Sequence, residues 1–239
     1  MSRYYTRACN FYYGNTSKNL IKEKKSIPLS GNNLISFDHI ELISRKSRRK
    51  IPINKLGNLP KLIKKKIFIE LKKISIKKKN FSNFNFLKLP NLMGVLNLTP
   101  DSFSDGGKFN NKTKGIKQAI QMIKSGANII DVGGESTRPG SKGVNEKVEW
   151  NRLNKIIKLI CNKATTSLDT RKSKIMERGI KCGVKIINDV SGLTYDPKTI
   201  NILNKYKIPF VIQHSQGTPE NMQDKPRYKN ELLDIYDFF

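Results

Sequence analysis

From residue 91 onward, short apolar runs alternate with segments whose apolar residues recur at helical spacing. MGVLNL (93–98) reads as a buried strand, and KGIKQAIQMIKSG (114–126) as an amphipathic helix closed by Gly126. NIIDVGG (128–134) is a second β-branched run. In EKVEWNRLNKIIKLICNK (146–163), Val148, Leu153, Ile156, Ile157 and Ile160 mark one helix face. TTSLD (165–169), VKIINDV (184–190) and IPFVIQH (208–214) supply three more strands. Helices are predicted over SKIMERGIKCG (173–183) and DPKTINILNKYK (196–207), with Pro197 suited to a first turn. YKNELLDIYDFF (228–239) begins one more.

This pattern specifies an α/β fold, a parallel sheet covered by helices. A doubly wound sheet and a (β/α)8 barrel share it. The ends of the five strands carry Asn97, Asp131, Asp169, Asn188 and His214. Barrels draw their chemistry from the C-terminal ends of several strands, whereas a doubly wound sheet concentrates it at one switch point. A TIM-type barrel is therefore predicted, with about the first five βα units in residues 91–239.

Residues 1–90 have a different texture. NLISFDHIELISR (33–45) and KKIFIELKKISI (65–76) alternate in part and predict short strands, within a small, irregular, partly β extension. The whole chain carries 46 Lys and Arg against 19 Asp and Glu, a net charge of +27. Residues 1–90 hold 22 and 4 of these, so two thirds of the excess lies there. Such a balance admits a nucleic-acid or anionic surface. Lysine, isoleucine and asparagine enrichment also follows from an A- and T-rich coding sequence, and no nucleic-acid-binding motif is present. A solvated surface is the preferred reading, without nucleic acid or membrane as partner. The start, MSRYYTRACNFYYG, has arginines and no acid, as transit peptides do, but lacks the apolar core of a secretory signal. No run approaches the ~18 apolar residues of a membrane span. Cys9, Cys161 and Cys182 form neither a disulfide framework nor a zinc pattern, which predicts a reducing cytoplasm. His39 and His214 are too few for a multi-histidine metal cage.

Two loops carry the candidate chemistry. NLTPDSFSDGGKF (97–109) and GGESTRPGS (133–141) combine glycines with hydroxyls, and Thr137 and Arg138 suit phosphate oxygens. The residues alone point to an anionic, phosphorylated substrate above a barrel.

NLTPDSFSDGG, IIDVGGESTRPG, LDTRK and IINDVSG resemble, in order and approximate spacing, the signature segments of the dihydropteroate synthase family, over residues 91–239. The resemblance implies condensation of 6-hydroxymethyl-7,8-dihydropterin diphosphate with 4-aminobenzoate, giving 7,8-dihydropteroate and pyrophosphate. It implies that Asp169 accepts from pterin nitrogens and that Asn188 reads the same ring edge. It implies Mg²⁺ at Asn97, and it matches Asp101, Asp131 and Arg138 to the catalytic groups. Thr137 matches the diphosphate-closing loop, Phe103 and Pro139 wall the aminobenzoate site, and His214 belongs to the HSQG segment. Where relatives often have Met after that His, this chain has Ser215.

A family barrel needs three more strands, bringing an Asp, a Ser-Arg-Lys motif and an Arg-x-His. The expectation is therefore an incomplete chain with impaired activity, dimeric if full-length. Alternatives are an inactive or partner-completed half-barrel that only binds pterin, and a related pterin-dependent methyltransferase.

Overall fold

The structure is a computed structural model that describes residues 3–78, 91–99 and 111–239. The chain forms two compact units, Met1–Asn80 and Phe81–Phe239.

In the first unit, strands β1 (Tyr5–Tyr13), β2 (Ile27–Leu29), β3 (Asn32–Ile43) and β4 (Arg48–Pro52) form an antiparallel sheet. The long β3 pairs with β1 on one side, and with β2 and β4 on the other. Helix α1 (Gly14–Lys22) follows β1, and helix α2 (Lys61–Ser75) closes the unit. Two expectations are corrected here. Residues 65–76 lie largely in α2 and form no strand, because Ile67 and Leu71, four residues apart, bury one helical face. The apparent alternation came from Ile67, Ile69 and Leu71, which are spaced two apart by Phe68 and Glu70 on a half-exposed helix. The extension is also not irregular: Phe37, Ile40, Leu42, Ile51, Leu56, Ile67 and Leu71 form its own buried core.

The second unit contains β5 (Met93–Asn97), β6 (Ile129–Gly133), β7 (Thr165–Asp169), β8 (Ile186–Asp189) and β9 (Phe210–Ile212). All pair in parallel, in the order β5-β6-β7-β8-β9. Helices α3 (Asn111–Lys124), α4 (Glu146–Ile160), α5 (Ser173–Lys181) and α6 (Thr199–Tyr206) follow β5 to β8, and α7 (Glu231–Phe238) comes after β9. Strand order without reversal is the winding of a barrel, since a doubly wound sheet must reverse at its switch point. α3 to α6 pack each against the next, as one layer over the sheet. The unit is thus a partial barrel, as expected.

Alternation along the strands sorts two faces. Leu96, Val132, Leu168 and Ile187 are in register and buried against the helices, with Leu153, Ile156, Ile157 and Ile160 of α4 fully covered. The opposite face brings Asn97 and Gly133 into register with Asp169 and Asn188. On that inner face the edge-strand residues Met93, Val95 and Val211 are exposed. Asn145 caps α4, its side chain accepting from the Val148 amide at 2.9 Å. Among the described residues, no helix is long and apolar enough to cross a membrane.

A helix–sheet contact tests this packing. A Cβ added at Gly179 of α5 would overlap Cδ2 of the fully buried Leu168. The overlap costs about 1–3 kcal/mol, which exceeds the gain of about 1 kcal/mol from alanine in a helix. Gly179→Ala should lower the urea midpoint followed through the single tryptophan, Trp150. An unchanged midpoint would show that Leu168 yields freely.

Candidate active site

Three polar side chains converge where the inner strands end. Asn188 Nδ2 donates to Asp131 Oδ2 at 3.1 Å. Asp131 Oδ1 and Asp169 Oδ1 are buried and, among the described residues, receive no hydrogen bond. Buried acceptors left this way are costly unless a ligand supplies donors. Burial first, then the neighbouring charges led by Asp131, pushes the Asp169 carboxyl up to about 8. Asp169 is therefore mainly neutral at pH 7 while no ligand holds it. The adjacent Asp189 acts on the backbone instead. Its carboxylate accepts from the Ser191 amide and hydroxyl and from the Leu193 amide, shaping the turn after β8.

Gly133 lies between Asn97 and Asp169. A Cβ there would stand 3.3 Å from both Asn97 Oδ1 and Asp169 Oδ2, so the missing side chain leaves a gap faced by two oxygens. Hard oxygen donors of this kind fit Mg²⁺, which needs few protein ligands when substrate oxygens and waters supply the rest. Among the described residues no group of three or more His, Cys, Asp or Glu could hold a metal alone.

The segment after β6 is anchored by buried charge. Glu135 accepts from Arg171 Nε at 2.7 Å, from Lys172 Nζ at 2.5 Å and from the Val144 amide at 2.8 Å. Lys172 Nζ also donates to Glu149 Oε2 at 2.6 Å, and Thr170 Oγ1 to Glu149 Oε1 at 2.5 Å. Burial raises the Glu135 pKa, but its bonds to Lys172, Val144 and Arg171 outweigh that and hold it low. Burial lowers that of Lys172, and its two carboxylate partners outweigh that and hold it high. Both directions agree on an ionised Glu135–Lys172 pair. Arg152 fixes the Gly134 carbonyl at 2.7 Å, and the Gly140 amide donates to Pro219 O at 2.9 Å.

Thr137 faces a cavity of about 310 Å³ shared with Arg171, Ser191, Tyr195, Gln213 and Ser215. The Arg171 guanidinium stacks 4.1 Å from the Tyr195 ring centroid. Arg138 and Pro139 are exposed at the loop tip. His214 stands in an aromatic group, its Nε2 3.0 Å from the Tyr228 hydroxyl and its ring 4.6 Å from Phe238. Thus Asp131, Asp169 and Asn188 are brought together, with Asn97 beside Asp169 across Gly133. Thr137 lines the adjoining cavity, and His214 is engaged with aromatic rings. Asp101 and Phe103 lie outside the described residues.

Sequence reasoning missed Glu135, Glu149, Arg171 and Lys172. One signal was available: Glu149 is an acid four residues before Leu153, within the apolar stripe of α4. A charge on a buried face calls for a buried partner.

Comparison with known proteins bears on the family and the fold. Residues 93–239 match the Pterin binding enzyme family. The chain is 37% identical over 158 residues to the dihydropteroate synthase of Synechocystis, covering 65% of this chain and 55% of that protein. It is 43% identical over 154 residues to that of Clostridium beijerinckii, covering 64% and 55%. The crystal structure of Clostridium difficile dihydropteroate synthase with pteroic acid superposes with a TM-score of 0.59 at 41% identity, over 65% of this chain and 58% of that one. The Xanthomonas albilineans enzyme with 4-aminobenzoic acid gives 0.57 at 32% identity, over 64% and 54%. The chain thus spans about 55% of the length of the curated relatives it matches. With a parallel sheet wound as in a barrel and unsatisfied carboxylates at its strand ends, this chain belongs to the pterin binding enzyme family.

Proposed function

We propose that this chain serves dihydropteroate synthesis, joining 4-aminobenzoate to 6-hydroxymethyl-7,8-dihydropterin diphosphate. The observation that carries this reading is the pair of buried, unpartnered oxygens on Asp131 and Asp169 beside Asn188. A flat ring with adjacent N–H donors and carbonyl acceptors meets that set. Asp169 loses its proton as ring N–H groups donate to it, and Asn188, held by Asp131, reads the same edge. Relatives crystallised with pteroic acid and with 4-aminobenzoic acid support the choice of substrates.

The reaction breaks the bond between the pterin methylene carbon and the diphosphate oxygen. A bond forms from that carbon to the aminobenzoate nitrogen, which loses a proton to solvent. Thr137 and Arg138 lie on the segment that would meet the departing diphosphate, whose growing charge calls for donors already in place. Asn97 is the residue that would hold Mg²⁺, which when bound supplies neutralisation of that charge. The same reading assigns the protein to the cytoplasm, with its cysteines as thiols, and makes the full-length form a dimer. A second reading, pterin binding without turnover, is favoured by Met93, Val95 and Val211 exposed on the edge strands. Pyrophosphate release with both substrates separates the two: release supports synthesis, and pterin binding without release supports the second reading.

Removing the Asp169 carboxylate should weaken recognition. Charge-assisted hydrogen bonds contribute about 1.5–3 kcal/mol, so Asp169→Ala should weaken binding of 6-hydroxymethylpterin by roughly 10- to 100-fold in titration calorimetry. Retained affinity would sink the assignment.

The raised Asp169 carboxyl also predicts two opposite pH trends. Ligand donors lower its pKa from about 8, so binding releases a proton and affinity rises with pH until about 8. Stability without ligand runs the other way. The native state keeps a proton that the unfolded chain gives up near 3.8, so stability falls as pH rises from about 4 to about 8. Thermal melts of Asp169→Asn should lose that slope, and a slope unchanged from wild type would refute the account.

A further inference from the structure

The segment between β6 and α4 carries Thr137 and Arg138, and one side chain closes its neck. Glu135, at the beginning, accepts from the backbone amide of Val144, nine residues later. The same carboxylate receives Arg171 and Lys172, which follow Asp169 by two and three residues. We propose that Glu135 is a positioning residue: it holds the 135–144 loop against the end of β7, so that Thr137 and Arg138 meet the diphosphate of a pterin bound at Asp169. The inference rests on the functional reading above.

Three features distinguish this role from general stabilisation. Glu135 bonds within its own loop, so it sets the loop's shape as well as its attachment. Its cationic partners come from the strand end that bears the ring-binding carboxylate, so the two parts of one substrate are placed by one network. Arg171 extends the link through its stack on Tyr195 into the cavity that Thr137 also lines. The cluster is electrically balanced, two carboxylates against two cations, so the loop is held without imposing a net charge on the cavity.

Glu135→Gln is the informative substitution. Lys172 keeps its bond to Glu149, and Arg171 loses its carboxylate but keeps its stack on Tyr195, whereas removing Lys172 would leave two facing carboxylates and endanger folding. The glutamine keeps the shape but has one acceptor oxygen where three donors converge. Hydrogen–deuterium exchange should quicken tenfold or more at residues 136–144 and stay unchanged in α4 and β7. Affinity for 6-hydroxymethylpterin should hold within twofold, while affinity for its diphosphate falls tenfold or more. Arg138→Ala should cost less in the Glu135→Gln background than alone, because both act on the same contact.

Equal losses for the alcohol and the diphosphate would mark a purely structural residue and overturn the proposal, as would additive losses or an unaltered loop exchange. A wild-type chain that binds neither pterin would refute the functional reading. The exchange measurement would then still decide whether Glu135 sets the loop.

Discussion

A lysine ammonium buried between two carboxylates sets the terms for the C-terminal end of the parallel sheet. Lys172 Nζ lies 2.5 Å from Glu135 and 2.6 Å from Glu149, and all three residues are buried. None of these charges could be buried alone, since an unpaired ion in the interior costs several kcal/mol. Each partner therefore requires the others, and they come from three different segments. Glu149 belongs to α4, Lys172 follows β7, and Glu135 begins the loop after β6. The helix layer, the strand end and the loop that bears Thr137 and Arg138 are locked by one electrostatic condition.

A few residues away the opposite choice has been made. Asp131 and Asp169 occupy the inner face with buried oxygens that receive no hydrogen bond among the described residues. Burial and mutual repulsion raise Asp169 to about 8, which a satisfied structural carboxylate would not show. Perturbed groups of this kind collect at functional sites. The saturated cluster contributes rigidity and the unsaturated one leaves acceptors open to a ligand, and two or three residues of sequence separate Asp169 from Arg171 and Lys172. The dipeptide Asn188-Asp189 repeats the division: Asn188 faces Asp131, while Asp189 shapes the following turn.

The amino-terminal unit follows simpler rules. Its lysines lie mainly outside a modest core built on Phe37, Ile40 and Leu42 of β3 and Ile67 and Leu71 of α2. The strand over 33–45 was legible because its alternation meets a half-buried sheet face. The helix over 61–75 was not, because Ile67, Ile69 and Leu71 stand two residues apart and mimic a strand period.

For the second unit, the sequence by itself determined the alternation of five strands and their helices, the parallel class and the polar strand ends. Those are local properties, carried by side-chain period and by glycine, proline and capping residues at element ends. The signature segments also named Asp131, Asp169, Asn188, Thr137 and Arg138. Tertiary structure alone decided which strand lies beside which, and so which oxygens share one buried gap across Gly133. It alone paired Glu135 and Glu149 with Lys172, across 37 and 23 residues of chain. It also drew His214 into a ring cluster with Tyr228 and Phe238. Ion pairing and dielectric depend on distance through space, and neither distance nor burial is written in the spacing of residues along a chain.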